Sequence, residues 1–182
     1  MSLKNMKNNG GRRPGRTGQR SVLHLESRSD RRRDLHTHGL LRPEALAALQ
    51  GSDYIVHAGD IGDPQILDQL AAIAPLSAVR GNVDHGAWAE KIPATNVLEV
   101  DEVYIYVLHN LQELDLKPKA AKFAAVIYGH SHVPKQEVKN GVLYFNPGSA
   151  GPRRFKLPVS VGRLTIKDGK IDAKILLLET TR

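Results

Sequence analysis

An α/β architecture of two mixed sheets, with strands inside and helices outside, is what this 182-residue sequence predicts. Three observations carry the prediction. Short apolar runs end in polar corners, helical patterns opened by proline lie between the early runs, and the last third is rich in β-pattern with two tight-turn signals.

The chain opens on a basic stretch. Residues 1–33 hold 10 Lys/Arg against 2 Asp/Glu and lack any aromatic residue, so this segment is near +8. The remainder holds 16 against 17, which places the whole net charge of +7 in the tail. Its Gly, Arg, Asn, Ser and Lys bury too little apolar surface to offset ordering, so residues 1–33 are expected to form a basic, disordered tail. The tail is either a solvated appendage or an arm for RNA or DNA, since a folded nucleic-acid interface spreads its charge over a structured face with aromatic residues. Residues 34–182 are expected to form one domain.

Pro43 fits the first position of a short helix over Glu44–Leu49, which Gly51 stops. Tyr54-Ile55-Val56 reads as a buried strand running into a Gly59-Asp60 corner. Pro64 opens a second helix with Ile66, Leu67, Leu70 and Ile73 near the helical period, and Leu76–Val79 follows as a strand. Strand, helix, strand in this order implies parallel pairing, with ligands gathered outside the carboxyl ends of the strands. Beyond Asn96 come strands at Val97–Val100 and Val103–Leu108, a short helix around Pro118–Phe123, and a strand at Ala124–Tyr128. Lys139-Asn140-Gly141 and Lys167-Asp168-Gly169-Lys170 read as hairpin turns, the second joining Ser160–Ile166 to Ile171–Leu178.

Composition narrows the chemistry. Without cysteine there is no disulfide or thiolate metal site, so a metal would be held by His, Asp, Glu and Asn. No run approaches the roughly 18 apolar residues of a membrane span, and the first residues lack a secretory leader's apolar centre, so the cytoplasm is the expected compartment.

Polar residues stand at the ends of five strand-like runs: Asp60, Asn82 after Arg80-Gly81, His109, the Gly129-His130-Ser131-His132 segment, and Asn146-Pro147-Gly148-Ser149. His130 and His132 alternate on an expected extended segment and would face one side. Alone, Asp60 or Asn82 could be a turn cap and His109 a core histidine. Gathered at strand ends they build a site, with Asp60 placed like a metal ligand.

In their order, Gly59-Asp60, Gly81-Asn82-Val83-Asp84, His109 and Gly129-His130-Ser131-His132, preceded by Thr37-His38-Gly39, resemble the calcineurin-like metallophosphoesterase superfamily. The likeness covers about residues 36–178 and is nearest the small bacterial and archaeal phosphodiesterases. It implies a four-layer α/β/β/α sandwich that hydrolyses a phosphodiester with water activated by two divalent ions, manganese foremost, with nickel, iron, zinc or magnesium as alternatives. By this resemblance Asp60 bridges both ions, His38 and His132 hold the first, and Asn82, His109 and His130 hold the second. Two such cations, about 3.5 to 4 Å apart, clamp an in-line displacement and lower the pKa of the bridging water. A small phosphodiester substrate is implied, no membrane, and a homo-oligomer is compatible.

Two departures stand out. Many members carry a His where this chain has Val83, so Asp84 or His85 is the candidate general acid. The family's first motif is a buried strand ending in Asp-x-His; here it reads His36-Thr37-His38, preceded by Asp30-Arg31-Arg32-Arg33-Asp34-Leu35. Three arginines cannot fill a central parallel strand without desolvating unpaired charge, and Val22-Leu23-His24-Leu25 lies too far upstream to end at His36. The first strand is thus lost or out of frame. If Arg33–His36 were encoded CGT-GAT-CTC-CAC, the same bases would read Val-Ile-Ser one frame over, which suggests a frameshift just before His36. Resequencing that finds an uninterrupted frame, with the matching peptide mass, would refute it. Read as written, His36 is the substitute ligand, and a non-catalytic member akin to the retromer scaffold subunit is the alternative. His57 either orients a ligand or packs in the core, and Arg80, Arg153 and Arg154 either meet substrate phosphate or stay solvated.

Overall fold

The computed structural model describes residues 20–24 as backbone, 40–153 and 156–179. His36, His38, Arg154 and the run Asp30–Leu35 lie outside the described residues. The first sheet has the order β10-β9-β1-β2-β3, built from β1 (Arg20–His24), β2 (Tyr54–Ala58), β3 (Leu76–Val79), β9 (Ser160–Lys167) and β10 (Lys170–Leu177). The second has the order β4-β5-β6-β8-β7, built from β4 (Thr95–Val100), β5 (Val103–Leu108), β6 (Phe123–Ile127), β7 (Lys135–Lys139) and β8 (Val142–Asn146). Both sheets are mixed: β1, β2 and β3 run parallel, as do β5, β6 and β8, with antiparallel strands at the flanks.

Alternation along the strands sorts the side chains into layers. In β5, Ile105 and Val107 join the core between the sheets while Tyr106 and Leu108 face the other way; in β6, Ala125 and Ile127 oppose Val126 in the same manner. Strands covered on both faces are apolar throughout, as parallel central strands must be. Helices α1 (Pro43–Leu49) and α2 (Pro64–Ala71) cover the first sheet, burying Ala45, Leu49, Ile66 and Leu70 against Ile55 and Val161. Each helix begins on proline, whose missing N–H is no loss there, and Asp63 caps α2 by accepting from the Gln65 amide at 2.8 Å. Both expected hairpins are present. Asn140 and Gly141, and Asp168 and Gly169, all have positive φ, the tight turn whose twist matches paired strands.

Three expectations are corrected. The layer outside the second sheet is present, but among the described residues it holds a 3-10 turn at Leu111–Glu113 rather than an α-helix. Residues 118–122 make one turn, closed by the Phe123 amide donating to the Pro118 carbonyl at 2.9 Å; Lys122 (φ 62) ends it because Phe123 is already paired with Tyr104 in the sheet. The tail is also not devoid of structure. Arg20–His24 fills the central slot of the first sheet, parallel to β2 at His24↔Val56 and antiparallel to β9 at Val22↔Leu164. The strand expected to be lost is supplied from within the basic stretch. Among the described residues no helix is long and apolar enough to cross a membrane.

Candidate metal centre

The carboxyl ends of β2, β3, β5, β6 and β8 converge, so that side chains as far apart in sequence as Asn82 and His130, 48 positions, come into contact. The corner after β2 comes first. Gly59 (φ +93) turns the chain where a side chain cannot fit, since an added Cβ would lie 2.5 Å from His109 Nδ1 and 2.8 Å from the Gly81 backbone. Gly81, after β3, is equally confined: a Cβ there would meet the Asp60 backbone N and Oδ1. These two glycines let the ends of β2 and β3 touch, and Asp60 is delivered beside Asn82.

Asp60 is 1% exposed and sits in the left-handed region at φ 57. Its Oδ1 accepts from the Val83 amide at 3.2 Å and lies 3.4 Å from His109 Nε2. Asn82 is exposed; its Oδ1 lies 2.9 Å from His109 Nε2 and 3.1 Å from His130 Nδ1, and the two rings meet edge to face at 5.1 Å. His109, one residue beyond β5, donates from Nδ1 to the Ala58 carbonyl at 2.7 Å. A carbonyl can only accept, so Nδ1 carries a proton, and Nε2 is the ring nitrogen that faces Asp60 Oδ1, Asn82 Oδ1 and His130 Nδ1. That is the tautomer a metal-binding imidazole needs, and a backbone carbonyl is a usual partner for fixing it.

The segment after β6 departs from expectation. His130 (φ 67) and His132 (φ 59) are both left-handed rather than extended, and they part company: His130 is exposed toward Asn82, whereas His132 is 1% exposed. Left-handed backbone costs a non-glycine residue about 1–3 kcal/mol, and such strain gathers at functional sites. Three of the candidate ligands bear it.

Asp84 stands apart from the donors. Both its oxygens are occupied, Oδ1 accepting from the Gly62 amide at 2.8 Å and Oδ2 from the Gly81 amide at 2.7 Å, so it ties the loop after β2 to the loop after β3. His85 beside it is exposed. His57 is wholly buried, and burial, with the neighbouring His109 second, pushes its pKa down to about 3 from 6.5. Arg80 and Arg153 are exposed, the latter donating from Nε to the Leu157 carbonyl. The Asn146 corner is among the strand ends that the sequence picks out, without a role for Asn146 itself, and Ser160 is not picked out. Buried Asn146 donates to the Gly129 carbonyl and Ser131 Oγ, and buried Ser160 donates to the Pro147 carbonyl at 2.6 Å. The only sequence signal for Asn146 is its place in the Asn-Pro-Gly corner after an apolar strand.

Among the described residues, no group of three or more His, Cys, Asp or Glu is spread at the separation that holds an ion. Asp60, Asn82, His109 and His130 are drawn to hydrogen-bond contact with one another instead. Their donor types do fit one: a carboxylate, an amide oxygen and imidazoles suit borderline divalent cations.

Comparisons with known proteins identify the family and the fold. The calcineurin-like phosphoesterase superfamily domain matches residues 33–169. A probable metallophosphoesterase of Methanocaldococcus jannaschii is 33% identical over 135 residues, covering 70% of this chain and 67% of that protein. Among solved structures, a predicted phosphoesterase from Streptococcus pneumoniae superposes with a TM-score of 0.62 at 22% identity, covering 88% of this chain and 90% of the other. Vps29 complexed with zinc from Entamoeba histolytica gives 0.58 at 17% identity, over 86% of this chain and 98% of the other. Likeness at these identities shows the fold, and the sequence match carries the rest. The chain belongs to the calcineurin-like phosphoesterase superfamily.

Proposed function

We propose that the chain is a metal-dependent phosphodiesterase that holds two divalent ions, manganese foremost, through Asp60, Asn82, His109, His130 and His132. His38 would complete the set, with His36 standing where relatives of this type carry an aspartate. The observation that supports this reading best is His109, whose Nδ1 is committed to the Ala58 carbonyl and whose Nε2 faces Asp60, Asn82 and His130.

When bound, the ions supply hydroxide near neutral pH and offset charge on the phosphoryl oxygens. The protein's residues set the stage for that. One carboxylate among neutral imidazoles and an amide leaves most of the positive charge available to the substrate. Asp84 keeps the Gly62 and Gly81 loops in register, which makes it a poor proton donor, while exposed His85 is free to protonate the leaving oxygen. Arg80, exposed beside Gly81, can pair with a phosphate oxygen. Small phosphodiesters are the substrate class of this reading and the cytoplasm its compartment, and a homo-oligomer is compatible with it. Any nucleic-acid binding by residues 1–33 would be a separate activity, lost on their deletion.

The test is hydrolysis of bis-p-nitrophenyl phosphate stimulated by Mn2+ or Ni2+ and abolished in Asp60→Ala and His130→Ala. Absence of turnover with Mn2+, Ni2+, Fe2+, Zn2+ and Mg2+ defeats it. A non-catalytic role is the second reading, favoured by His36 in the aspartate's place. The Vps29 fold neighbour is complexed with zinc, so metal binding alone does not decide. Metal uptake without turnover, together with turnover in His36→Asp, is the result expected for a fold impaired at its first metal.

A further inference from the structure

Asn146 ends β8 and is fully buried. Its side chain commits all its polar groups: Nδ2 donates to the Gly129 carbonyl at 2.8 Å and to Ser131 Oγ at 3.0 Å, and Oδ1 accepts from the Gly148 amide at 2.9 Å. The amide cannot be inverted, because the Gly129 carbonyl only accepts and the Gly148 amide only donates. The segment it grips is held from its other side too. The Gly129 amide donates to the His109 carbonyl at 2.9 Å, and the Ser131 amide donates to the Gly129 carbonyl at 2.8 Å. Asn146 therefore joins the end of β8 to the loop after β6, and that loop is joined in turn to the end of β5.

His130 and His132 flank Ser131 within this loop, and both are left-handed, a conformation that non-glycine residues keep only where the surroundings over-determine it. Two of the contacts that reach the loop from a buried side chain come from Asn146, and a third comes from His109, whose Nε2 lies 3.3 Å from His130 Nδ1. We infer that Asn146 is a positioning residue for His130 and His132: its two donated bonds hold the left-handed turn that aims the His130 ring at Asn82. The consequence for metal affinity rests on the proposed function; the consequence for the His130 ring does not.

The experiment compares wild type with Asn146→Ala, each uniformly 15N-labelled, by long-range proton–nitrogen NMR of the histidine rings without metal, and then by calorimetric titration with Mn2+. The expected result is a displaced His130 ring signal with the amide spectrum of both sheets retained, and Mn2+ affinity lower by about 10- to 100-fold. A residue that merely stabilises the fold would lower the melting temperature and leave the His130 ring signal in place, and that outcome overturns the inference. Should neither protein bind Mn2+, the metal-site reading fails, and the ring signal still decides the role of Asn146. Should Asn146→Ala not fold, Ser131→Ala, which removes the 3.0 Å bond from Asn146 together with the 3.3 Å bond from the Val133 amide, takes its place, and an unmoved His130 ring again overturns it.

Discussion

Asp84→Asn separates two roles that the geometry makes distinguishable. The substitution preserves shape and removes one acceptor. Asp84 is 6% exposed and receives the Gly62 amide on one oxygen and the Gly81 amide on the other. Asparagine presents one oxygen and one NH2, so whichever way it turns, a donor faces a donor. One buried N–H then lacks an acceptor, at a cost of about 1–3 kcal/mol, and the surviving bond loses its charge assistance, about 1 kcal/mol more. A loss of about 2–4 kcal/mol in a chain of this length lowers the melting temperature by about 4–16 °C, since each kcal/mol corresponds to about 2–4 °C. Circular dichroism melts and urea titrations of metal-free protein measure it. A melting temperature within about 1 °C of wild type, accompanied by loss of the alkaline limb of the pH–rate profile, would refute the clamp and restore Asp84 as the general acid.

Other outcomes follow from the same contacts. Gly81→Ala places a methyl group against the Asp60 backbone N and Oδ1, and backbone cannot swing aside; the expected cost is about 1–3 kcal/mol together with weaker Mn2+ binding. Gly51→Ala, with open space around the added methyl but φ +76, is the control, expected to lose about 1 kcal/mol of stability and no metal affinity. Equal Mn2+ isotherms for Gly81→Ala and wild type would contradict the close approach. His57 gives a pH signature: its folded pKa of about 3 lies below the unfolded 6.5, so between these values the unfolded chain binds the proton and the folded one does not. Stability is therefore full above about pH 6.5 and falls as pH falls, by up to about 1.4 kcal/mol per unit from this group. Urea unfolding at pH 7.5, 6 and 5 should show His57→Leu closing on wild type as the medium acidifies, and a constant gap would rule the assignment out.

How much of this was legible in the sequence depended on whether the cause was local. Pro43 and Pro64 mark helix starts by their own geometry, and Asn140-Gly141 and Asp168-Gly169 mark hairpins because they tolerate positive φ. The Gly59-Asp60 corner was legible for the same reason. Asp60, Asn82, His109 and His130 could be named from their places at strand ends, and the structure brings these four together. What escaped depends on distant partners. Nothing near His130 and His132 announces left-handed backbone, because it is imposed by Asn146 and by the bond from Gly129 to His109. Strand β1 escaped because its five residues lie in a stretch whose charge argues against order, and only the slot between β2 and β9 selects them.

That slot bears on the uneven strength of the site. At the described strand ends the candidate ligands follow at once: Asp60 is two residues past Ala58, His109 one past Leu108, and His130 three past Ile127. Short tethers transmit the rigidity of the sheet to the side chain, which is what pre-organises a metal site. His36 and His38 come 12 and 14 residues after His24, where β1 ends. On the reading proposed above, a histidine at 36 lacks the charge of an aspartate, so attraction for a cation would be reduced there, and the effect would fall on the first ion of the proposed pair. Asn82, His109 and His130, which that reading assigns to the second ion, lie close to their strand ends and in contact with one another, and for that reason it predicts that His36→Asp improves binding of one ion in a calorimetric Mn2+ titration without altering the other.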